Sequence, residues 1–286
     1  MSVDPDAPLC LPPLPLSRLP RVSLPAGTVD AHFHVFAAGA PLNTPRSYTP
    51  QILTLDDWTT YADALGMARG VLVQPSVYGT DNSVLLAALT QAPERLRGVV
   101  VISPDTKDAE IARLDQMGVR GIRINLRNKA GIGLDALEAL APRIRPLGWH
   151  VVFQVGPDAI ASVAELAARH ELVGIVDHLA FMPLDPVGPA LDALHRALDS
   201  GRIYTKISAP YRLGDRPDHA GYRQAVRSLV DNHTNRVLWG SDWPHTELFD
   251  TMQEDADLIE LSLDVVAPEA RELVFVRNAE AIYWSR

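Results

Sequence analysis

The sequence predicts a single (β/α)8 barrel preceded by a proline-rich extended arm, and three observations carry that expectation. Eight short β-branched runs recur along the chain, helix-like segments of ten to fifteen residues separate them, and no glycine-rich turn follows the first run. Strands joined through helices are parallel, and eight such units are the number that closes a barrel. A doubly wound open sheet, the main competitor, would normally show a glycine-rich turn after its first strand.

Residues 1–26 are read as the arm and residues 27–286 as the barrel, since seven of the 23 prolines fall in the first 26 residues. Proline fixes φ and removes a backbone donor, so this stretch is extended. Leu9, Leu11, Leu14, Leu16 and Leu19 between the prolines favour an arm lying along the body, because disordered tails are poor in leucine. The arm is also placed to lie across a neighbouring subunit of a homo-oligomer. Strands are expected at 28–35, 70–74, 98–102, 121–125, 150–155, 174–178, 203–208 and 236–240. Helices are expected near 55–67, 82–91, 107–117, 134–146, 158–170, 187–199, 218–232 and, in two pieces, 251–282. Thr54, Asp81 and Asp135 stand near helix starts, and Gly66, Gly118, Gly148 and Gly201 near helix ends, as caps require.

Composition narrows the function. A hydrophobic fraction of 47% and a charged fraction of 21% suit a globular chain with a large core. A net charge of −9 argues against nucleic-acid or anionic-membrane partners, which need a basic face. The single cysteine, Cys10, allows neither an internal disulfide nor a thiolate cluster and fits a reducing cytoplasm. No membrane span and no export signal are read in the chain.

The first strand carries His32 and His34 with one residue between them. Strict alternation places Thr28, Asp30, His32 and His34 on one face, with the two imidazoles about 7 Å apart, and Val29, Ala31, Phe33 and Val35 on the other. Barrel sites sit at the C-terminal ends of the strands. The polar residues falling there are His32, His34, Gln74, Ser76, Arg123, Asn125, Gln154, His178, Ser208 and Asp242, with Arg127 and Arg212 just beyond. Tyr48, in the long loop after the first strand, and His245, after the eighth, are further mouth candidates. Lys206 is expected as a buried ion-pair partner of Asp30. Trp239 is expected in the core, Trp243 and Pro244 in the pocket wall, and the acids of 250–272 on a solvated helix face.

His32-x-His34 on the first strand, Val-Asp-His178 on the sixth and Trp-Gly-Ser-Asp242-Trp-Pro-His on the eighth resemble the amidohydrolase superfamily. Val-Gln-Pro-Ser, Gly-Ile-Arg-Ile-Asn and Lys-Ile-Ser-Ala-Pro-Tyr-Arg add a closer resemblance to the branch containing 2-pyrone-4,6-dicarboxylate lactonase. The resemblance covers roughly Thr28 to Trp284 and leaves out the arm. It implies a hydrolase opening a small carboxylated lactone, without a metal.

The residue chemistry is compatible with that role. Asp242 can act as general base toward water while His32, His34 and His178 polarise the carbonyl. Arg123, Arg127 and Arg212 suit carboxylate recognition, with Ser76, Tyr48, Asn125, Gln154 and His245 as further substrate contacts. No cofactor is required on this reading. The alternative is a single Zn2+ held by His32, His34, His178 and Asp242, in a decarboxylase or another hydrolase. A sugar-acid lactone isomerase is the remaining alternative.

Overall fold

A computed structural model describes residues 7–285. Eight parallel strands pair in sequence order. They are β1 (Val29–Phe33), β2 (Arg69–Val73), β3 (Leu96–Val100), β4 (Val119–Asn125), β5 (His150–Gln154), β6 (Gly174–Val176), β7 (Ile203–Ile207) and β8 (Val237–Trp239). A bridge between Phe33 and Trp243 joins β1 to the segment following β8, so the sheet curls into the expected barrel. The helices between strands are α1 (Leu55–Leu65), α2 (Ser83–Gln91), α3 (Asp108–Gln116), α4 (Ala136–Ile144), α5 (Ile160–Arg169), α6 (Pro189–Asp199) and α7 (Ala220–His233). After β8 come α8 (Asp255–Val265) and α9 (Asn278–Tyr283). The cap residues explain where α1 begins and ends. Thr54 and Asp57 exchange side-chain to backbone hydrogen bonds at its start, and Gly66 takes a left-handed φ of 78° at its end.

Two apolar layers hold the barrel. Val29, Ala31, Val71, Val73, Val99, Val152, Ile175 and Leu238 fill its interior, and Ala279 and Tyr283 of α9 close the end away from the strand C-termini. A larger layer, including Phe33, Trp58 and Leu72, packs strands against helices. Trp239 stacks near Phe275 at 5.3 Å, in the core as expected. Trp243 is also a core residue, 5.9 Å from the ring of Tyr61, rather than the pocket wall the sequence suggested.

β1 does not keep strict alternation. Val29 and Asp30 pair with Arg69 and Gly70, but the next partner of Leu72 is Phe33, so one extra residue is accommodated on β1. This bulge shifts the parity: Val29 and Ala31 face the interior, whereas Phe33 and Val35 join the outer layer. Asp30 is thereby turned away from the histidine rings, although it accepts from His32 N at 3.1 Å. It accepts hydrogen bonds from Trp58 Nε1 (3.2 Å) and from Ser241 N (2.8 Å) and Oγ (2.6 Å). The single polar face expected for Thr28, Asp30, His32 and His34 is corrected accordingly.

The described part of the arm lies along the body. Cys10 N donates to Thr49 O at 2.8 Å, Leu11 N donates to Leu248 O at 2.8 Å, and Arg18 pairs with Asp257 and Glu260 of α8. These bonds tie together the loops after β1 and β8, which are neighbours at the barrel mouth. Residues 1–6 of the expected arm lie outside the described residues. Among the described residues, no helix is long and apolar enough to cross a membrane.

Candidate active site

Four side chains converge at the C-terminal end of the barrel. His32 Nε2 lies 3.3 Å from His34 Nε2 and 3.6 Å from Asp242 Oδ1, and His178 Nε2 lies 3.5 Å from the same oxygen. The two histidines of β1 are closer than regular pleating implies, their ring centroids being 4.9 Å apart. Each of the four residues is at most 3% exposed.

Local backbone geometry aims them. Asp242 has a φ of 61°, and its N–H donates to His32 O at 2.9 Å. His178 opens a run of four residues with φ between 48° and 55°. Left-handed backbone costs a non-glycine residue about 1–2 kcal/mol, so both strand ends hold their site residue in a conformation that the surrounding fold must enforce. Gly240 lets β8 pass His32: a Cβ there would stand 2.9 Å from His32 N and Cβ. Gly240→Ala is therefore expected to destabilise the protein by about 1–3 kcal/mol and to lower turnover by displacing His32. Thermal melting and steady-state kinetics check this; wild-type values for both would refute the steric argument.

Asp242 is held by one oxygen and free at the other. Oδ2 accepts from Tyr211 Oη (2.7 Å) and Arg212 Nε (2.9 Å), leaving Oδ1 toward the histidines. Burial alone would raise its carboxyl, but Arg212, followed by His178, His32 and His34, overrides burial and holds it well below the usual carboxylate range. Behind Tyr211 runs a further chain. Tyr211 Oη is 2.9 Å from His245 Nδ1, His245 Nε2 is 3.0 Å from Asp255 Oδ1, and Tyr61 Oη donates to the same oxygen at 2.7 Å. Asp255 is thus a buried partner of the site's support, not part of the solvated helix face expected for 250–272.

Beneath the histidines lies a second charged group. Lys206 Nζ is 2.9 Å from Asp177 Oδ1 and 3.0 Å from His32 Nδ1, all three residues being fully buried. The expected burial of Lys206 in an ion pair holds, but its partner is Asp177, because the bulge turns Asp30 outward. Asp177 was not singled out in the sequence, although it directly precedes His178.

The remaining candidates surround this cluster. Arg123 donates to Gln74 O at 3.1 Å, bonds Gln154 Oε1 and stands 3.5 Å from Asp177 Oδ2. Ser76 and Tyr48 are buried nearby, Tyr48 in a cluster with Cys10, Phe36, Val77 and Tyr78. Asn128 Oδ1 accepts from Asn125 Nδ2 (2.9 Å) and Gln154 Nε2 (2.8 Å), while its amide donates to Glu247 Oε1 (2.7 Å). That side chain straps the loop after β4 across the mouth to the loop after β8. Arg127, exposed in the same loop, covers the ring of Phe181 at 4.0 Å, and that ring packs edge-on to His178 at 5.2 Å. Arg212 spends its guanidinium on Asp242, Glu247 and Thr246, and His245 lies behind Tyr211, so both stand as supports of Asp242.

Burial also predicts acid sensitivity. It lowers His34 from 6.5 to about 3 and His178 from 6.5 to about 4, and it shifts His32 the same way. The unfolded chain takes up these protons first, so their contribution to stability is complete above pH 6.5 and is lost as pH falls toward 4. Asp30 opposes this, because burial raises its carboxyl from 3.8 to about 6, which favours the fold as pH falls through that window. His245 opposes it as well, because Asp255 outweighs burial and raises its imidazole above 6.5. The three lowered histidines are expected to outweigh these two groups, so the melting temperature should drop between pH 7 and 4.5; a rise would show that Asp30 and His245 dominate.

His32, Asp177 and His178 form one set of atoms close enough to hold a metal ion, and His32, His34 and Asp242 another. Tetrahedral zinc bound at about 2.0–2.1 Å separates its nitrogen ligands by about 3.3 Å, so the spacing of the second set is compatible with a metal. The charges are less so, since Lys206 stands directly on His32.

The class follows from fold and site together. The sequence matches the amidohydrolase family over residues 29–284, and the chain belongs to that family. It is 33% identical to the 2-pyrone-4,6-dicarboxylate hydrolase of Comamonas testosteroni over 93% of this chain and 92% of that protein. It is 31% identical to the 4-sulfomuconolactone hydrolase of Hydrogenophaga intermedia over 97% of this chain and 95% of that one. Among solved structures, it resembles a probable 2-pyrone-4,6-dicarboxylic acid hydrolase from Acinetobacter baumannii with citric acid bound. The TM-score is 0.81 at 26% identity, covering 90% of this chain and 99% of that one.

Proposed function

We propose that this protein hydrolyses the ester bond of a small carboxylated lactone without a metal ion. The observation that carries the reading is the convergence of the His32 and His178 Nε2 atoms on Asp242 Oδ1, with His34 Nε2 beside His32 at 3.3 Å and the other Asp242 oxygen anchored by Arg212 and Tyr211. The similarity to two lactone hydrolases over nearly the whole chain supports the substrate class. Arg123 and Arg127 are the proposed carboxylate contacts.

In the proposed reaction, a water oxygen adds to the lactone carbonyl carbon while Asp242 Oδ1 takes one of its protons. A carboxylate held so far below its usual range is a weak acceptor. Proton transfer must therefore accompany carbon–oxygen bond formation rather than precede it. Imidazole N–H groups stabilise the oxyanion. Its collapse breaks the ring carbon–oxygen bond, and the proton on Asp242 passes to the departing ring oxygen, leaving a new carboxylic acid. Because the site is buried, substrate entry requires the barrel mouth to open.

Ring opening of 2-pyrone-4,6-dicarboxylate and of a sulfonated muconolactone in 18O-labelled water tests this reading. One labelled oxygen in the new carboxyl group is the expected product. Turnover with no label incorporated would indicate isomerisation, and no turnover across a panel of carboxylated lactones would overturn the proposal.

A further inference from the structure

We infer that Lys206 is a positioning residue that fixes the proton of His32 on Nε2, making His32 a hydrogen-bond donor into the mouth instead of a metal ligand. The inference deepens the lactone-hydrolase reading and takes its functional meaning from it, but the proton arrangement follows from this chain's own contacts.

Two independent constraints meet at His32. From one side, His34 Nδ1 lies 2.7 Å from Val73 O. A carbonyl can only accept, so His34 carries its proton on Nδ1 and presents a lone pair at Nε2. His32 Nε2 faces that lone pair at 3.3 Å, and the contact is favourable only if His32 Nε2 carries a proton. From the other side, Lys206 Nζ stands 3.0 Å from His32 Nδ1. An ammonium has three donors and no acceptor, so Nδ1 must be the acceptor and the single proton of the neutral ring must sit on Nε2. Both routes give the same tautomer. They define a directional chain from Lys206 through His32 to His34, with Asp177 Oδ1 fixing the ammonium at 2.9 Å.

The arrangement conflicts with metal binding in a specific way. A metal between His32 and His34 needs lone pairs on both Nε2 atoms, which moves the His32 proton to Nδ1. There it could reach Asp177 Oδ1 at 3.3 Å, the usual support for a ligating histidine, but it would oppose the Lys206 donor. The ligand atoms are spaced for zinc, whereas the protons are not. Lys206 thus keeps on His32 Nε2 an N–H, turned toward the His34 lone pair, that an oxyanion can take over, in place of the lone pair that a metal needs.

The test is two-bond 1H–15N correlation NMR of the full chain labelled at histidine nitrogens, with His32 assigned by its loss in His32→Asn. In the unaltered protein, His32 is expected as the Nε2–H tautomer and His34 as the Nδ1–H tautomer. Lys206→Met is expected to move the His32 proton to Nδ1, to tighten binding of added Zn2+ by at least tenfold, and to lower kcat for ring opening at least tenfold with little change in KM. His32 found as the Nδ1–H tautomer in the unaltered protein would overturn the inference, as would a folded Lys206→Met variant with an unchanged His32 tautomer. The unaltered protein decides by itself if that variant does not fold. A protein with the expected tautomer that opens no lactone would contradict the proposed function while supporting the role of Lys206.

Discussion

Asp242→Asn is expected to reduce kcat for lactone opening about a thousandfold while leaving the protein folded. General-base catalysis by a positioned side chain contributes about 10²–10⁴ in rate, and Asp242 is the only carboxylate whose oxygen faces the Nε2 atoms of both His32 and His178 among the described residues. Asparagine keeps the size of the side chain and an oxygen for Tyr211 and Arg212, and Arg212 retains Glu247 at 3.2 Å and Thr246 O at 2.6 Å. The melting temperature should therefore change far less than the rate. Loss of binding alone, with kcat within tenfold of wild type, would show that Asp242 orients the substrate and that another group takes the proton.

Arg127→Ala is expected to raise KM for a carboxylated lactone about 10- to 100-fold with a small effect on kcat, and to leave an uncharged lactone unaffected. A charge-assisted hydrogen bond to a carboxylate contributes about 1.5–3 kcal/mol, which sets that range. Arg127 suits the test because it is exposed and rests on Phe181, so its removal takes away little beyond one stacking contact. Arg123 does not, since its guanidinium also holds Gln74, Gln154 and Asp177. An equal loss for charged and uncharged lactones would mean that Arg127 acts through the packing of Phe181 on His178. Competition assays with matched lactones, with and without a carboxylate, read the difference directly.

Much of this architecture is legible in the sequence, and what is not has identifiable causes. The eight strands fall within a few residues of their expected positions, because β-branched runs between helical segments leave few alternatives. Thr54, through its hydroxyl, and Gly66, through its lack of a Cβ, mark the ends of α1 as expected. The polar strand ends were readable since barrel topology brings them together wherever they lie in the chain. The bulge in β1 was not, because it is a property of pairing with β2 and leaves no mark in one strand's own alternation. Two further misreadings have the same origin. Asp30 was expected beside Lys206, and Asp255 was expected on a solvated face although it lies under His245. Each depends on which neighbour a residue meets across the fold, information that local periodicity does not hold. The strap made by Asn128 is of this kind too, joining residues 119 positions apart.

The central claim is that neutral imidazole donors and one ionised carboxylate open a carboxylated lactone without a metal. The most direct measurement is the rate of 2-pyrone-4,6-dicarboxylate ring opening after exhaustive chelation, with metal content determined on the same sample. The account predicts an undiminished rate at well below about one-tenth of an equivalent of metal. A rate abolished by chelation and restored by one equivalent of Zn2+ would contradict it and make His32, His34, His178 and Asp242 ligands.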